Sequence, residues 1–212
     1  MVVCITGGFG KLGTAFAKAF RAEGWQVLVT GRNIRDTEFD SFKHDVTSEE
    51  DTGALYDYIA DKYGHLDLLI NNAAVFHGGK VDVVTPADFL SSLTVNLYGP
   101  YLTTHYLLPL LSKAPSPMII NVSSTSGHRA DPGSSAYNAS KFGLMGFTES
   151  IRKELRKQNI RVTSLSPSSI YFGEPASEKR LNGSDIAQAA VFLAKSPASA
   201  LYRDIEMWVT NP

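Results

Sequence analysis

The chain is poor in cysteine and carries no marked excess of either charge. Its single cysteine, Cys4, excludes an intrachain disulfide and a multi-cysteine zinc site, and we expect no metal centre. A formal net charge of −1 gives no basic surface for nucleic acid or for an anionic membrane. No apolar run reaches the roughly 20 residues that span a bilayer, and the basic start of a signal peptide is missing. These absences predict a cytoplasmic protein with neither a nucleic-acid nor a membrane partner.

Apolar runs typical of buried strands alternate with helical patterns along the chain. The predicted strands span residues 2–5, 26–30, 66–70, 118–122, 160–165 and 205–209. The predicted helices span residues 12–24, 48–64, 86–113, 135–158 and 184–195. Such alternation favours right-handed crossovers and one parallel sheet covered by helices on both faces. We therefore predict a single doubly wound α/β domain over residues 1–212, with its ligand at the carboxyl ends of the strands.

A glycine-rich segment joins the first predicted strand to the first predicted helix. It reads Thr6-Gly7-Gly8-Phe9-Gly10-Lys11-Leu12-Gly13. Glycines at this position allow a tight turn and a close approach of a phosphate. The free amides and positive dipole of the following helix favour an anion. The segment therefore predicts a nucleotide site.

The end of the second strand indicates which dinucleotide binds. A site for NAD places an acidic residue about 20 residues beyond the glycines, at the ribose 2′-hydroxyl. Here the sequence has Gly31, which offers no carboxylate, followed by Arg32. An arginine pairs well with a 2′-phosphate, and Lys11 adds positive charge. We therefore expect NADP(H) to be preferred over NAD(H).

Tyr137 and Lys141 lie four residues apart in the longest predicted helix, so both side chains leave the same helix face. A positive charge beside a phenol favours the phenolate. We therefore expect the pKa of Tyr137 to fall from its usual value of about 10 toward the range of an acid/base catalyst. Taken alone, this spacing is common on solvated helices.

The chain resembles the short-chain dehydrogenase/reductase family over nearly its whole length, in the form of a short, single-domain member. Four elements carry the resemblance, in the family's order: Asp45-Val46, Asn71-Asn72-Ala73-Ala74, the serine segment from Asn121 to Gly127, and Tyr137 with Lys141. The family fold that it implies is a Rossmann-like doubly wound sheet.

The resemblance also implies residue roles. Tyr137 would exchange a proton with the substrate oxygen, Lys141 would lower the pKa of Tyr137 and bind the nicotinamide ribose, and Ser124 would hydrogen-bond the substrate. Further cofactor contacts would come from the glycine segment, Asp45, Val46, Asn72, Ala73, Ala74, Pro167 and Ile170.

Asn96 is the fourth catalytic residue that the resemblance implies. Pro100 has no N–H to bond the carbonyl of Asn96 one turn back, and Gly99 loosens the same turn. We expect a distorted helix there. In the family this carbonyl holds a water that links to the lysine.

Several features depart from the family pattern. The G-x-x-G-x-x-G spacing is that of extended members, many of them epimerases and dehydratases, although the length favours the single-domain type. Little chain separates Arg32 from Asp45. Ser168 and Phe172 replace the usual glycine and threonine after the strand at 160–165.

The substrate lid predicted over residues 172–183 is short, which suggests a shallow pocket. The candidate pocket walls are Phe76, His77, His128, Tyr171 and Phe172, of which we assign the last three to the substrate site together with Ser124.

The leading interpretation is a reductase that transfers hydride between NADP(H) and a small aldehyde or ketone. One alternative is a non-catalytic nucleotide-binding regulator or interaction module of the same fold. A weaker alternative is an epimerase or dehydratase. In most of the family the helices predicted at 86–113 and 135–158 pair between subunits, which implies a homodimer or homotetramer.

Overall fold

The strands form where β-branched and apolar runs lie between turns, and the helices cover them. The computed structural model describes residues 1–173 and 179–210. The strands are β1 (Val2–Thr6), β2 (Gln26–Gly31), β3 (Asp40–Lys43), β4 (Leu68–Asn71), β5 (Met118–Val122), β6 (Arg161–Pro167), β7 (Ile170–Tyr171), β8 (Leu181–Asn182) and β9 (Asp204–Met207). The α-helices are α1 (Lys11–Ala22), α2 (Glu49–Tyr63), α3 (Pro86–Leu93), α4 (Gly99–Leu111), α5 (Ser135–Leu155) and α6 (Gly183–Lys195).

One parallel sheet organises the fold. Its seven strands lie in the order β3-β2-β1-β4-β5-β6-β9, and every neighbouring pair is parallel. The order reverses between β1 and β4, which is the place where doubly wound sheets bind ligands. The predicted Rossmann-like α/β fold is confirmed.

The two faces of the sheet carry separate apolar cores because side chains alternate along each strand. Ile5 on β1 packs with Phe16 of α1 and Ile186 of α6. The neighbouring Cys4 faces the other side, with Leu107 of α4. Burial raises the pKa of the Cys4 thiol to about 12, so this group is inert at neutral pH.

Helix starts follow the expected capping chemistry. The Ser48 side chain accepts a hydrogen bond from Asp51 N at the start of α2. At the start of α3, the Thr85 side chain accepts from Asp88 N, and Pro86 occupies the first turn. The start predicted at Thr85 is confirmed.

The helix predicted over residues 86–113 is divided into three parts. Between α3 and α4, residues Thr94–Tyr98 form a five-residue π-helix that contains Asn96. Pro100, in the first turn of α4, lacks the N–H that would continue regular α-helical bonding. The distortion expected around Asn96 is therefore present.

The edge strand β3 is an element that the apolar runs do not predict, because Phe42 is the only apolar residue in Asp40–Lys43. It pairs with β2 over Leu28 to Gly31. The Asp40 carboxylate accepts a hydrogen bond from Tyr58 Oη at 2.6 Å and pairs with Lys62 Nζ at 2.7 Å, so α2 anchors the edge.

A second small sheet ties together the two ends of the predicted substrate lid. β7 pairs with β8, and Leu181 N donates to Ser169 O at 3.0 Å. Residues 174–178 of the predicted lid lie outside the described residues.

None of the helices in the described ranges combines the length and the apolar character that a membrane span needs. The cytoplasmic location stays a prediction.

Candidate active site

A cavity of about 980 Å³ opens along the carboxyl edge of the sheet. Many of the residues predicted to bind cofactor or substrate line it: Gly7, Gly10, Lys11, Leu12, Gly13, Arg32, Asp45, Val46, Asn72, Ala73, Ala74, Ser124, Tyr137, Lys141, Pro167, Ile170 and Phe172. Thr6, Phe9, Asn96, His128 and Tyr171 are not among the described residues that line it. The tertiary structure thus gathers most of the predicted set in one place.

The glycine segment forms a cradle at the start of α1. Gly7 has a φ of +63°, and a Cβ there would lie 2.9 Å from Ala73 Cα. Gly13 packs even more closely against the turn, since a Cβ added there would lie 2.4 Å from Gly7 O. Among residues 1–173 and 179–210, no side chain caps the N-terminus of α1, so its first amides remain available to a ligand. These features fit a phosphate group.

Thr6 supports the cradle from beneath. Its hydroxyl accepts hydrogen bonds from Asn72 N at 3.0 Å and Ala73 N at 3.1 Å. The Asn72 side chain returns a bond to Thr6 O at 2.9 Å. Thr6 therefore joins the end of β1 to the segment after β4.

Polar groups gather at the cavity end near β2. Burial alone would raise the pKa of Asp45, but hydrogen bonds from Thr47 N and Oγ1 and the charge of Arg32 lower it below its usual value. Asp45 is therefore an anionic acceptor at neutral pH. The ring of Phe9 covers Gly31, where a Cβ would lie 2.9 Å from Phe9 Cδ2, so a larger residue at 31 would displace this ring.

His44 is a buried neighbour of this end. Its ring nitrogens lie 3.1 Å from Thr30 Oγ1 and 3.1 Å from Thr52 Oγ1. Burial lowers its pKa to about 4, so the ring is neutral at physiological pH.

Tyr137, Lys141 and Ser124 meet at the other end of the cavity. The Lys141 side chain folds beside the Tyr137 ring, with Nζ 5.6 Å from the ring centroid. Lys141 Nζ donates to Val122 O at 2.8 Å. Ser124 Oγ accepts from Ser126 N at 3.1 Å, which fixes the hydroxyl at the start of a short 3₁₀ turn.

The pKa values of this pair differ from the sequence expectation. Burial raises the pKa of Tyr137, and a hydrogen bond with Ser124 opposes that shift only in part. Burial also lowers the pKa of Lys141 to about 8, because the buried amine favours its neutral form. The expected fall in the Tyr137 pKa is therefore absent from this structure.

The Asn96 side chain joins three elements. Its Oδ1 accepts from Val75 N at 2.8 Å, and its Nδ2 donates to Val75 O at 2.9 Å and to Ser140 Oγ at 3.0 Å. Ser140 Oγ in turn donates to Tyr137 O at 2.7 Å. This amide therefore holds the segment after β4 against the helix turn that carries Tyr137.

Three of the predicted pocket-wall residues have their own partners. His128 Nε2 lies 3.0 Å from Asp204 Oδ2, and His77 Nδ1 lies 3.3 Å from Asp88 Oδ1. Phe172 packs toward α1, with Lys11 Nζ 5.8 Å from its ring centroid. Tyr171 belongs to β7.

The cavity has one wall that sequence reasoning missed. Ala87, Leu90, Ser91 and Thr94 all line it from α3 and the start of the π-helix. Their spacing of i, i+3, i+4 and i+7 marks one helix face, and this spacing immediately before Asn96 was the available signal.

Two serines beside the cavity carry buried hydroxyls with no partner. Ser123 Oγ and Ser168 Oγ make no hydrogen bond within the described residues, although both residues border the cavity. Orphaned hydroxyls at a cavity fit a site that a polar ligand completes.

Known proteins share both the sequence pattern and the fold. The sequence profile of the short chain dehydrogenase family matches residues 1–180. A 3-oxoacyl-[acyl-carrier-protein] reductase of Bos taurus is 30% identical over 217 residues, which cover 92% of each chain. An uncharacterized oxidoreductase of Staphylococcus aureus is 28% identical over 96% of this chain and 95% of its own.

A solved structure agrees. The 3-ketoacyl-(acyl-carrier-protein) reductase of Brucella melitensis, solved in complex with NADH, superposes with a TM-score of 0.89 at 27% identity. The match covers 99% of this chain and 97% of the other. The protein belongs to the short chain dehydrogenase family of oxidoreductases.

The buried Lys141 amine predicts a pH dependence of stability. Its folded pKa of about 8 lies below the ordinary 10.5, so between these values the unfolded chain binds more protons. The free energy of unfolding should therefore rise with pH across this window, by at most about 1.4 kcal/mol per pH unit. Lys141→Met should remove this rise, measured by guanidinium denaturation at several pH values between about 8 and 10.5.

The matched control is Lys153→Met, because the Lys153 side chain is 74% exposed on the same helix. It should keep the wild-type dependence. An equal rise with pH in wild type and Lys141→Met would contradict the assignment.

Proposed function

We propose that the protein is an NADP(H)-dependent reductase of small aldehydes or ketones. The observation that carries the proposal is the arrangement of Tyr137, Ser124 and Lys141 at one end of a cavity whose other end holds the glycine cradle. A dinucleotide is long enough to join two such ends, and parallel sheets bind it in this position.

The geometry supports reduction with Tyr137 as the acid. When bound, a reduced nicotinamide supplies the hydride to the carbonyl carbon. The phenol is protonated at neutral pH, far below the ordinary tyrosine pKa of about 10, so it has a proton to give to the carbonyl oxygen. Ser124 donates a hydrogen bond to the same oxygen and orients the carbonyl.

Lys141 stabilises the phenolate that forms after proton transfer. With a pKa of about 8, its amine exchanges protons readily near neutral pH. It therefore suits the role of returning a proton to Tyr137.

Tyr137→Phe tests the proton donor. We expect kcat to fall by about a hundredfold to ten-thousandfold, the usual contribution of a general acid. The Kd for NADPH, measured by fluorescence titration, should change little, because the ring remains in place.

Tyr202→Phe serves as the control, since Tyr202 packs against Phe192 and not against the cavity. It should keep wild-type rates. Near wild-type turnover by Tyr137→Phe would refute the mechanism, and failure of wild type with every carbonyl tried would favour a non-catalytic nucleotide-binding role.

The proposed preference for NADP(H) rests on the charges at the cavity end near β2, where the adenine half of the cofactor would bind. Arg32 is exposed at the rim of the cavity, Gly31 offers no carboxylate to a 2′-hydroxyl, and Lys11 borders the same cavity. An exposed guanidinium at this point suits a 2′-phosphate.

Arg32→Gln tests the preference. Loss of a charge-assisted hydrogen bond should weaken NADPH binding by about tenfold to a hundredfold and leave NADH binding nearly unchanged. Lys18→Gln, an exposed change on α1 away from the cavity, should alter neither Kd. Wild-type protein that binds NADH as tightly as NADPH would contradict the preference.

We also propose a homodimer or homotetramer that pairs through α4 and α5. Aromatic side chains lie exposed on these helices and on the π-helix just before α4: Tyr101 on α4 at 44%, Phe142 on α5 at 45%, and Tyr98 at the end of the π-helix at 36%. Tyr101 contacts Phe147 at a ring-centroid distance of 6.2 Å, so the apolar surface extends across both helices. Exposed aromatic surface of this kind is typical of protein interfaces.

Light scattering coupled to size exclusion tests the assembly. The wild-type mass should be two or four times the 23.1 kDa of the chain. Tyr101→Glu should reduce it, since a buried unpaired carboxylate opposes association. A monomeric wild type would contradict the proposal.

A further inference from the structure

Phe76 is a large apolar residue that lies exposed at the catalytic end of the cavity. Its ring meets the Tyr137 ring edge to face, with centroids 5.1 Å apart and planes at 70°. Even so, 63% of Phe76 remains accessible. Since Phe76 also lines the cavity, part of this surface is available to a molecule bound there.

The backbone on both sides of Phe76 is anchored. Val75, just before it, has both its N–H and its carbonyl bonded by the Asn96 side chain. Gly79, just after it, donates to Gly133 O at 2.8 Å, which ties this segment to the loop before α5. Phe76 also packs on Gly78, where a Cβ would lie 2.9 Å from Phe76 Cε1. The ring is thus a preformed wall, so a ligand that packs on it loses little binding free energy to the ordering of this segment.

The carboxylate and guanidinium groups that line the cavity lie away from Phe76. Among the described lining residues, Lys11 belongs to the glycine cradle, and Arg32 and Asp45 belong to the cavity end near β2. At the catalytic end, Lys141 is directed inward to Val122 O. No described carboxylate or guanidinium lines the cavity beside Phe76, so a cationic substituent would find no carboxylate and an anionic one no guanidinium there.

We propose that Phe76 determines substrate choice by packing against an aromatic ring joined directly to the carbonyl. The substrate class is therefore uncharged aryl aldehydes and aryl ketones. This inference rests on the proposed function, because the carbonyl must sit at Tyr137 and Ser124. Because Phe76 contacts the Tyr137 ring and lines the same cavity, a group next to a carbonyl bound at Tyr137 would meet Phe76. Aromatic pairs gain stabilisation beyond the apolar area they bury, so an aryl group is favoured over a saturated ring of similar size.

The experiment compares benzaldehyde with cyclohexanecarbaldehyde, which have the same number of carbon atoms. Steady-state kinetics with NADPH would give kcat and KM for wild type, Phe76→Leu and Phe76→Tyr. Phe76→Leu keeps an apolar wall without the π system, and Phe76→Tyr keeps the ring. Comparing ratios between variants removes the intrinsic difference in reactivity of the two aldehydes.

We expect Phe76→Leu to lower the ratio of kcat/KM for benzaldehyde over cyclohexanecarbaldehyde by about fivefold to tenfold, the upper range for an aromatic pair. The change should appear mainly in KM, because the ring contributes binding and not proton transfer. Phe76→Tyr should keep the wild-type ratio. The control Phe192→Leu, on an exposed residue of α6 that does not line the cavity, should keep it too.

The outcomes separate this inference from the proposed function. A ratio unchanged in Phe76→Leu, with an active wild type, overturns the role of Phe76 and leaves the reductase assignment intact. Turnover of other carbonyls but of neither aldehyde also overturns the inference alone. No turnover of any carbonyl by wild type overturns both.

Discussion

The buried amide of Asn96 holds the catalytic end of the molecule together. Only 1% of Asn96 is exposed, and its side chain makes bonds of 2.8 and 2.9 Å to the backbone of Val75 and of 3.0 Å to Ser140. Each bond contributes about 1 kcal/mol, and loss of the amide would leave several buried groups unpaired. Because Ser140 also bonds Tyr137 O, this single side chain fixes the catalytic helix turn relative to the segment that carries Phe76.

Burial, more than the interaction between Tyr137 and Lys141, determines the pKa values of these two residues. It raises the pKa of Tyr137 and lowers that of Lys141 to about 8, because burial disfavours the charged form of each group. A neutral phenol is the form that a proton donor requires. At the cavity end near β2, Asp45 stays ionised because Thr47 and Arg32 stabilise its charge.

The structure shows which contacts are made by the residues that depart from the family pattern. Phe172 stands where the family has a threonine, and its ring packs toward Lys11 and over Gly183. Ser168 stands where the family has a glycine, and its buried hydroxyl has no partner within the described residues. The cradle glycines Gly7 and Gly13 make close backbone contacts that a Cβ would prevent, so their spacing serves a tight strand-to-helix turn. That spacing therefore gives no separate support to an epimerase or dehydratase.

The α/β fold, the capped start of α3 and the helix distortion near Asn96 could be predicted from the amino-acid sequence, because periodicity, Thr85 and Pro100 act locally. Many of the residues that line the cavity could be predicted too, since strand ends in a parallel sheet converge on one edge. Three features became visible only in the folded chain: the edge strand β3, the pKa values of Tyr137 and Lys141, and the contact between Phe76 and Tyr137. Each of these depends on burial or on packing between segments far apart in the chain, and no local pattern of residues records such distances.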